Sequence, residues 1–314
     1  MTGSVLAVDI GGTKLAAGLV DADGVVRRRA KRPTVATNDA EELWQVLRSL
    51  VDEVMADAPS IDAVGIGCGG PMDLAVGQVS PLNIVAWRGF PLRDRMKERF
   101  HGVPVALHND AVAMAMGEHA HGAGRGSRSL MGVVVSTGVG GGLILDGLPI
   151  DGATGNAGHV GHIVADPDGP ECACGGRGCL EAIARGPATV AWAVAEGWRT
   201  PVDGSADGVT LVASARDGDP IALAALTRAG RALGIACASA AALLELDVIA
   251  VGGGLANAGD LLLSPALAAF DRYARLDFTR RCRLVAAELR DDAGLVGAGV
   301  LGRLAAARGP DLTV

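Results

Sequence analysis

The sequence predicts an α/β protein of two domains, on three observations. Its 314 residues are enough for two domains of ordinary size. Short apolar runs of strand type alternate with segments of helical spacing, the pattern of α/β architectures. A unit of strand, Gly-rich turn and strand occurs twice, which marks an internal duplication.

Each element follows from local pattern. Residues 5–10 read as a buried strand, Gly11-Gly12 as a tight turn, 15–20 as a returning strand and 21–24 as the next turn, which together open a β-meander. Apolar residues recur at helical spacing over 39–55, 63–66 is a short strand, and the strand 103–107 runs into a helix over 110–119. The second copy is the strand 131–135, the turn Ser136-Thr137-Gly138-Val139-Gly140-Gly141 and the strand 142–145, so two backbone loops are expected to face one another across a cleft between the domains. Helices over 187–198 and 220–246 follow, then a strand over 248–251 that ends in Gly252-Gly253-Gly254, and a final helix over 294–307. The expected domains are 1–118 with 298–314, and 119–297.

Composition narrows the function. Hydrophobic residues at 49% supply buried cores and exclude disorder as the main theme. With 46 Gly and only 3% aromatics, tight turns are expected rather than broad stacking surfaces. A formal charge of −7 without an evident basic stripe argues against nucleic acid and for a small-molecule ligand. The N-terminal residues lack a basic segment followed by an apolar core and cleavage site, and the other apolar runs read as too short or Gly-broken for a bilayer, so the expected location is the cytoplasm with no membrane partner. Of six cysteines, three lie within eight residues, while Cys68, Cys237 and Cys282 stand alone in apolar surroundings as expected buried thiols.

Three sites carry chemistry. In Asp9-Ile10-Gly11-Gly12-Thr13-Lys14 the glycines let backbone N–H groups approach an anion, Thr13 and Lys14 add a hydroxyl and a cation, and Asp9 could hold Mg²⁺ indirectly. Taken alone the motif also reads as a plain Gly-Gly hairpin, but Thr137-Gly138 and Gly252-Gly253-Gly254 repeat the device at two further strand ends and suit a nucleotide. Asn109-Asp110 sits where a strand meets a helix N-terminus, which favours an ionised carboxylate; the pair reads either as a helix cap or as a base with a neighbouring hydroxyl ligand. His162, Cys172, Cys174 and Cys179 make a closed tetrahedral set for structural Zn²⁺, with Glu181 aimed by the knuckle as a candidate hydroxyl acceptor. Gly65-Ile66-Gly67-Cys68-Gly69-Gly70 matches a dinucleotide pattern, but Pro71 and a turn-rich stretch follow where a helix would be needed.

These motifs, with Gly155-Asn156-Ala157-Gly158-His159-Val160-Gly161-His162, resemble the ROK family of sugar kinases and sugar-responsive repressors over nearly the whole chain. The resemblance implies an actin-like, ribonuclease-H-like pair of domains closing over ATP and sugar, in a homodimer or higher homo-oligomer. It implies Asp110 as general base, with Gly70, Asn83, Asn109, His159, His162 and Glu181 as sugar contacts and His162 also on zinc. Asp9, Gly11, Gly12, Thr13, Lys14, Thr137, Gly138, Gly252, Gly253 and Gly254 are the expected contacts of ATP and Mg²⁺. The expected reaction is transfer of the γ-phosphoryl group to the 6-hydroxyl of glucose or an amino-hexose such as glucosamine or kanosamine; an N-acylhexosamine kinase or a non-catalytic sugar sensor are the alternatives. The first strand begins near residue 4, which leaves no room ahead of it for a repressor's DNA-binding domain. One departure concerns the substrate: His159 stands where the family's kinases usually carry Glu, and a neutral imidazole offers one donor and one acceptor instead of two acceptor oxygens.

Overall fold

The opening apolar runs become β1 (Ser4–Ile10) and β2 (Lys14–Val20), antiparallel and joined by the Gly11-Gly12 turn. The computed structural model describes residues 3–58, 60–201 and 204–308. They fall into two compact units: the first comprises Met1–Gly126, Gly142–Gly158 and Leu289–Val314, the second Ser127–Gly141 and His159–Glu288.

In the first unit β3 (Val26–Pro33) completes the meander, α1 (Ala40–Met55) follows, and β4 (Ile61–Cys68) returns parallel to β1. Asp39 starts α1 by accepting from the Glu41 and Glu42 amides, and Leu43, Leu47, Leu50 and Val54 recur at three to four residues, so one face is buried against Leu6, Val8, Ile10 and Leu15 of the sheet. A short hairpin of β5 (Met72–Asp73) and β6 (Gln78–Val79), then α2 (Leu92–Arg99), lead to β7 (Val105–Asn109), which pairs parallel to β4 and passes directly into α3 (Asp110–His121). The sheet order is β3-β2-β1-β4-β7.

The second sheet repeats that plan with β8 (Ser129–Val135), β9 (Val139–Leu145), β10 (Leu148–Pro149), β11 (Val248–Gly252) and β12 (Arg283–Ala286), in the order β10-β9-β8-β11-β12, as the internal duplication requires. Helices α4 (Leu180–Ala184), α5 (Gly186–Ala195), α6 (Gly208–Arg216), α7 (Pro220–Leu244) and α8 (Asp260–Tyr273) belong to the second unit, while α9 (Ala293–Arg308) returns to the first and packs on β1, β4 and α3.

Three expectations are corrected here. Helix α7 is a continuous 25-residue apolar helix, long enough to cross a bilayer, yet 61% of its apolar window is buried and it packs on α4, α5, α6 and α8 of its own unit. A basic stripe does exist: β3 carries Arg27, Arg28, Arg29, Lys31 and Arg32. It is largely neutralised, because Arg27 pairs with Asp21, Arg29 with Asp292 and Arg32 with Glu53, while Arg28 donates to the carbonyls of Val54 and Ala56. Finally, glycine serves packing as much as turns. A Cβ on Gly65 would lie 1.8 Å from the Ala298 carbonyl oxygen of α9, and one on Gly67 2.9 Å from the Ala113 side chain of α3. The Gly-x-Gly pattern therefore lets two helices lie directly on β4, and no helix follows Gly70 to meet a pyrophosphate.

Candidate active site

In the first unit the tip of the β1–β2 hairpin is a tight turn in which the Gly11 amide donates to the Lys14 carbonyl at 3.0 Å. Thr34, just past β3, braces it: its hydroxyl donates to the Gly11 carbonyl at 2.7 Å and its amide to the Thr13 carbonyl at 3.1 Å. Gly12 is exposed and abuts Asn83, for a Cβ there would come 2.4 Å from Asn83 Cβ. Two expected contacts of different ligands, phosphate and sugar, thus meet at one point of the unit.

Asp9 ends β1 beneath this turn. The backbone of α9 begins against it, since a Cβ on Gly294 would stand 2.9 Å from the Asp9 carboxyl. Burial and then the Asp110 charge raise the Asp9 carboxyl from its ordinary value to about 6, opposed by Lys14 and Lys31. Lys31 lies in register with Ala16, and Ala16 with Asp9, so this cation belongs to the same row of the sheet. Gly294, Thr34 and Lys31 were missed by sequence reasoning: each is distant in the chain from the motif it supports.

Asn109 and Asp110 form the helix cap that one of the two sequence readings required. Asn109 is the N-cap of α3, its side-chain oxygen accepting from the Ala111 amide at 3.0 Å, and Asp110 Oδ1 accepts from the same amide at 2.9 Å. The helix N-terminus does not leave Asp110 an ordinary carboxylate, however. Burial raises its pKa above the usual range, and the backbone hydrogen bonds of Ala111 and Asp110 oppose that rise without cancelling it. Gly69 passes nearby, a Cβ on it lying 3.8 Å from Asp110 Oδ2, and the following bond, Gly70-Pro71, is cis.

In the second unit Ser136 is the junction of the glycine turns. Its amide donates to the Gly138 carbonyl and its carbonyl accepts from the Gly186 amide, both at 2.8 Å, while a Cβ on Gly254 would lie 3.5 Å from its hydroxyl. Gly253 has φ +95° and passes so close to Val135 that a Cβ would meet its carbonyl at 2.5 Å. Thr137-Gly138 and Gly252-Gly253-Gly254 are therefore brought together around one residue. Glu181 joins them: its Oε2 accepts from the Val139 amide at 2.8 Å and lies 2.9 Å from where a Gly138 Cβ would be. The residue expected as a sugar contact also braces the glycine turn.

The knuckle is compact. The ligand atoms of His162, Cys172, Cys174 and Cys179 lie within 4.8 Å of one another. Cys174 Sγ and Cys179 Sγ are 3.8 Å apart, the spacing of two thiolates at a tetrahedral angle on bonds of about 2.3 Å. His162 turns Nδ1 toward Cys172 Sγ at 3.9 Å. Cys179 is the N-cap residue of α4 and Glu181 lies in that helix's first turn, so the donor cluster and the Glu181 carboxylate are fixed by one short element. His159 is exposed and precedes the 3₁₀ turn Val160–His162, its ring 6.2 Å from that of His162. The three other cysteines are buried thiols, as expected, and burial pushes them up in pKa.

A family model described as ROK matches residues 5–304. The chain belongs to the ROK family. Among its ROK relatives, a glucokinase of Streptomyces coelicolor is 36% identical over 314 residues, covering 96% of this chain and 98% of the relative. An N-acetylmannosamine kinase of Shigella flexneri is 37% identical over 300 residues, covering 95% and 98%. The solved ROK glucokinase of Streptomyces griseus, in complex with glucose and AMPPNP, matches with a TM-score of 0.83 and 36% identity over 96% of this chain and 100% of that one. The fold is accordingly the actin-like fold of ROK sugar kinases, built on mixed α/β sheets.

Proposed function

We propose that the protein is an ATP-dependent hexose kinase that transfers the γ-phosphoryl group to the 6-hydroxyl of glucose or an amino-hexose. The observation that carries this reading is the partly buried Asp110 at the start of α3, beside the buried Asn109 cap and in the same unit as the Asp9–Lys14 phosphate-type turn. In the proposed reaction the sugar hydroxyl gives its proton to the Asp110 carboxylate as its oxygen bonds to the γ-phosphorus, and the bond to the bridging oxygen breaks to release ADP. Asn109, with Gly70, Asn83, His159 and Glu181, orients the sugar. The Gly11-Gly12 turn, Thr13, Lys14, Thr137, Gly138 and the Gly252-Gly253-Gly254 turn take the nucleotide and its phosphates. Mg²⁺, when bound with ATP, neutralises phosphate charge, and Asp9 would hold it through water.

The four knuckle donors fit a structural Zn²⁺. With Nδ1 of His162 committed to the metal, Nε2 is fixed as an N–H donor for a sugar hydroxyl. A cytoplasmic homodimer or higher homo-oligomer completes the proposal.

The test is ADP release from MgATP with glucose, mannose, glucosamine, kanosamine, N-acetylmannosamine and N-acetylglucosamine, with the phosphorylated carbon identified by NMR. Strong preference for glucose, glucosamine or kanosamine with phosphate on carbon 6 is the expected result. Silence across a folded, zinc-loaded sample overturns the kinase. His159→Glu is expected to change the ranking of sugars, because two acceptor oxygens replace one donor and one acceptor; an unchanged ranking removes His159 from specificity.

A further inference from the structure

The strand that carries Asn109 is an edge strand: β7 has β4 on one side and ends the sheet on the other. Beside it is a hollow of about 470 Å³, lined among others by Leu74, Leu107, His108 and Asp151. The outer side of this strand borders that hollow. His108 Nδ1 donates to Asp151 Oδ1 at 2.8 Å, with the two side chains only 16% and 9% exposed.

Asp151 opens the loop that leads to His159. Its carbonyl accepts from the Ala157 amide at 2.9 Å, which closes residues 151–157 on themselves. The far end of the loop is tied as well. The Met72 amide donates to Asn156 Oδ1 at 3.1 Å, Asn156 Nδ2 donates to the Met72 carbonyl at 2.8 Å, and the Leu74 amide donates to the Thr154 carbonyl at 3.3 Å. All of these groups belong to the first unit. His108 immediately precedes Asn109-Asp110, Met72 follows Gly70-Pro71, and residue 159 comes next but one after Ala157.

We propose that residues 151–157 form a clasp, with His108, Asp151 and Asn156 as positioning residues that set the register of two sugar-contacting segments of the first unit: Asn109-Asp110 and Gly70. The clasp touches no reacting atom. It acts by holding the segments that do, and the assignment of those segments to a sugar rests on the kinase reading. Misplacement by about 1 Å of groups that orient a substrate is enough to lower turnover of that substrate by one to two orders of magnitude.

The experiment uses the full chain with His108→Ala, Asp151→Ala, the double variant and Asp151→Asn, assayed with the sugar that the panel identifies. Each alanine variant is expected to lower kcat/KM for the sugar about tenfold while the MgATP KM stays within about twofold. The double variant should be no worse than the worse single one, because both remove the same contact, and Asp151→Asn should recover most of the loss, because its side-chain oxygen still accepts from His108 Nδ1. Equal rises in both KM values, additive losses or no change would overturn the clasp. Hydrogen exchange of the backbone amides separates this from the kinase reading. Even if no sugar is phosphorylated, His108→Ala must speed exchange at Ala157 and at Ala111, whose amides donate to the Asp151 carbonyl and to the Asn109 and Asp110 side chains, and Asp151→Asn must leave both protected; unchanged exchange in His108→Ala refutes the proposal on its own.

Discussion

Asp9 and Asp110 are two acids whose surroundings favour the proton, and this has opposite consequences for stability and for catalysis. Between the ordinary carboxylate value of 3.8 and about 6, the folded chain keeps the Asp9 proton that the unfolded chain has released, so stability falls as pH rises through that window. The penalty above it is at most about 3 kcal/mol, since Asp9 keeps part of its surface in solvent. Asp9→Asn is therefore expected to raise the melting temperature of the ligand-free protein at pH 7.5, flatten its decline between pH 4 and 6.5, and lower turnover; thermal unfolding across pH checks the first two. Asp110→Asn removes the proton acceptor, and turnover should drop by about 10²- to 10⁴-fold with sugar binding retained in calorimetry. In the unsubstituted enzyme the acid limb of kcat/KM should lie above the usual carboxylate range, and because Asp9 and Asp110 interact, the observed pKa belongs to the pair. A profile flat down to pH 4 would remove Asp110 as base.

Elements with one clear periodicity were legible in the sequence. Strands β1 and β11 are apolar runs that end in a glycine pair and a glycine triplet, β2 and β8 are apolar runs that end in turns containing a single glycine, and α1 has an unbroken amphipathic pattern behind an Asp cap. Other elements escaped because the deciding partner is remote. Strand β3 reads as a charge run until Asp292 and Glu53 are placed beside its arginines. Helix α2 shows only Leu92 and Met96 as buried residues among six polar ones, and α8 carries Pro265 inside it. The site shows the same division: Asp9, Asn109-Asp110 and the Cys cluster are local motifs, whereas Thr34, Gly294 and Asp151 acquire meaning only through contacts made by folding. Gly65 tests this at the level of an element. A Cβ there meets the Ala298 carbonyl, a backbone atom that cannot swing aside, so Gly65→Ala should force α9 off β4 and destabilise the protein by about 1–3 kcal/mol or more in denaturant unfolding. A nucleotide-contacting glycine would instead change MgATP affinity and leave stability untouched.

At the scale of the whole molecule both units bury apolar cores, and one segment of the second adds a cluster of metal-type donors. The first has a core of large side chains from its own strands and helices, including Trp44, Trp87 and Phe90 around α1. The second contains the segment from His159 to Cys179, which has little regular structure: a 3₁₀ turn, two isolated bridges and the donor cluster. That segment leads straight into α4 and Glu181, and Glu181 in turn braces the Val139 amide. A metal tying His162 to the three cysteines would substitute for the missing core there, because its binding free energy becomes folding free energy. Chelation of a zinc-loaded sample should therefore raise hydrogen exchange across the knuckle, α4 and the start of β9, while β1, β2 and β4 stay protected. Cys174→Ser should reproduce that pattern and release one metal per chain, measurable by metal analysis of the purified variant. If exchange rises equally in both units, the knuckle supports the whole chain; if it rises in neither, the cluster does not hold a structural metal.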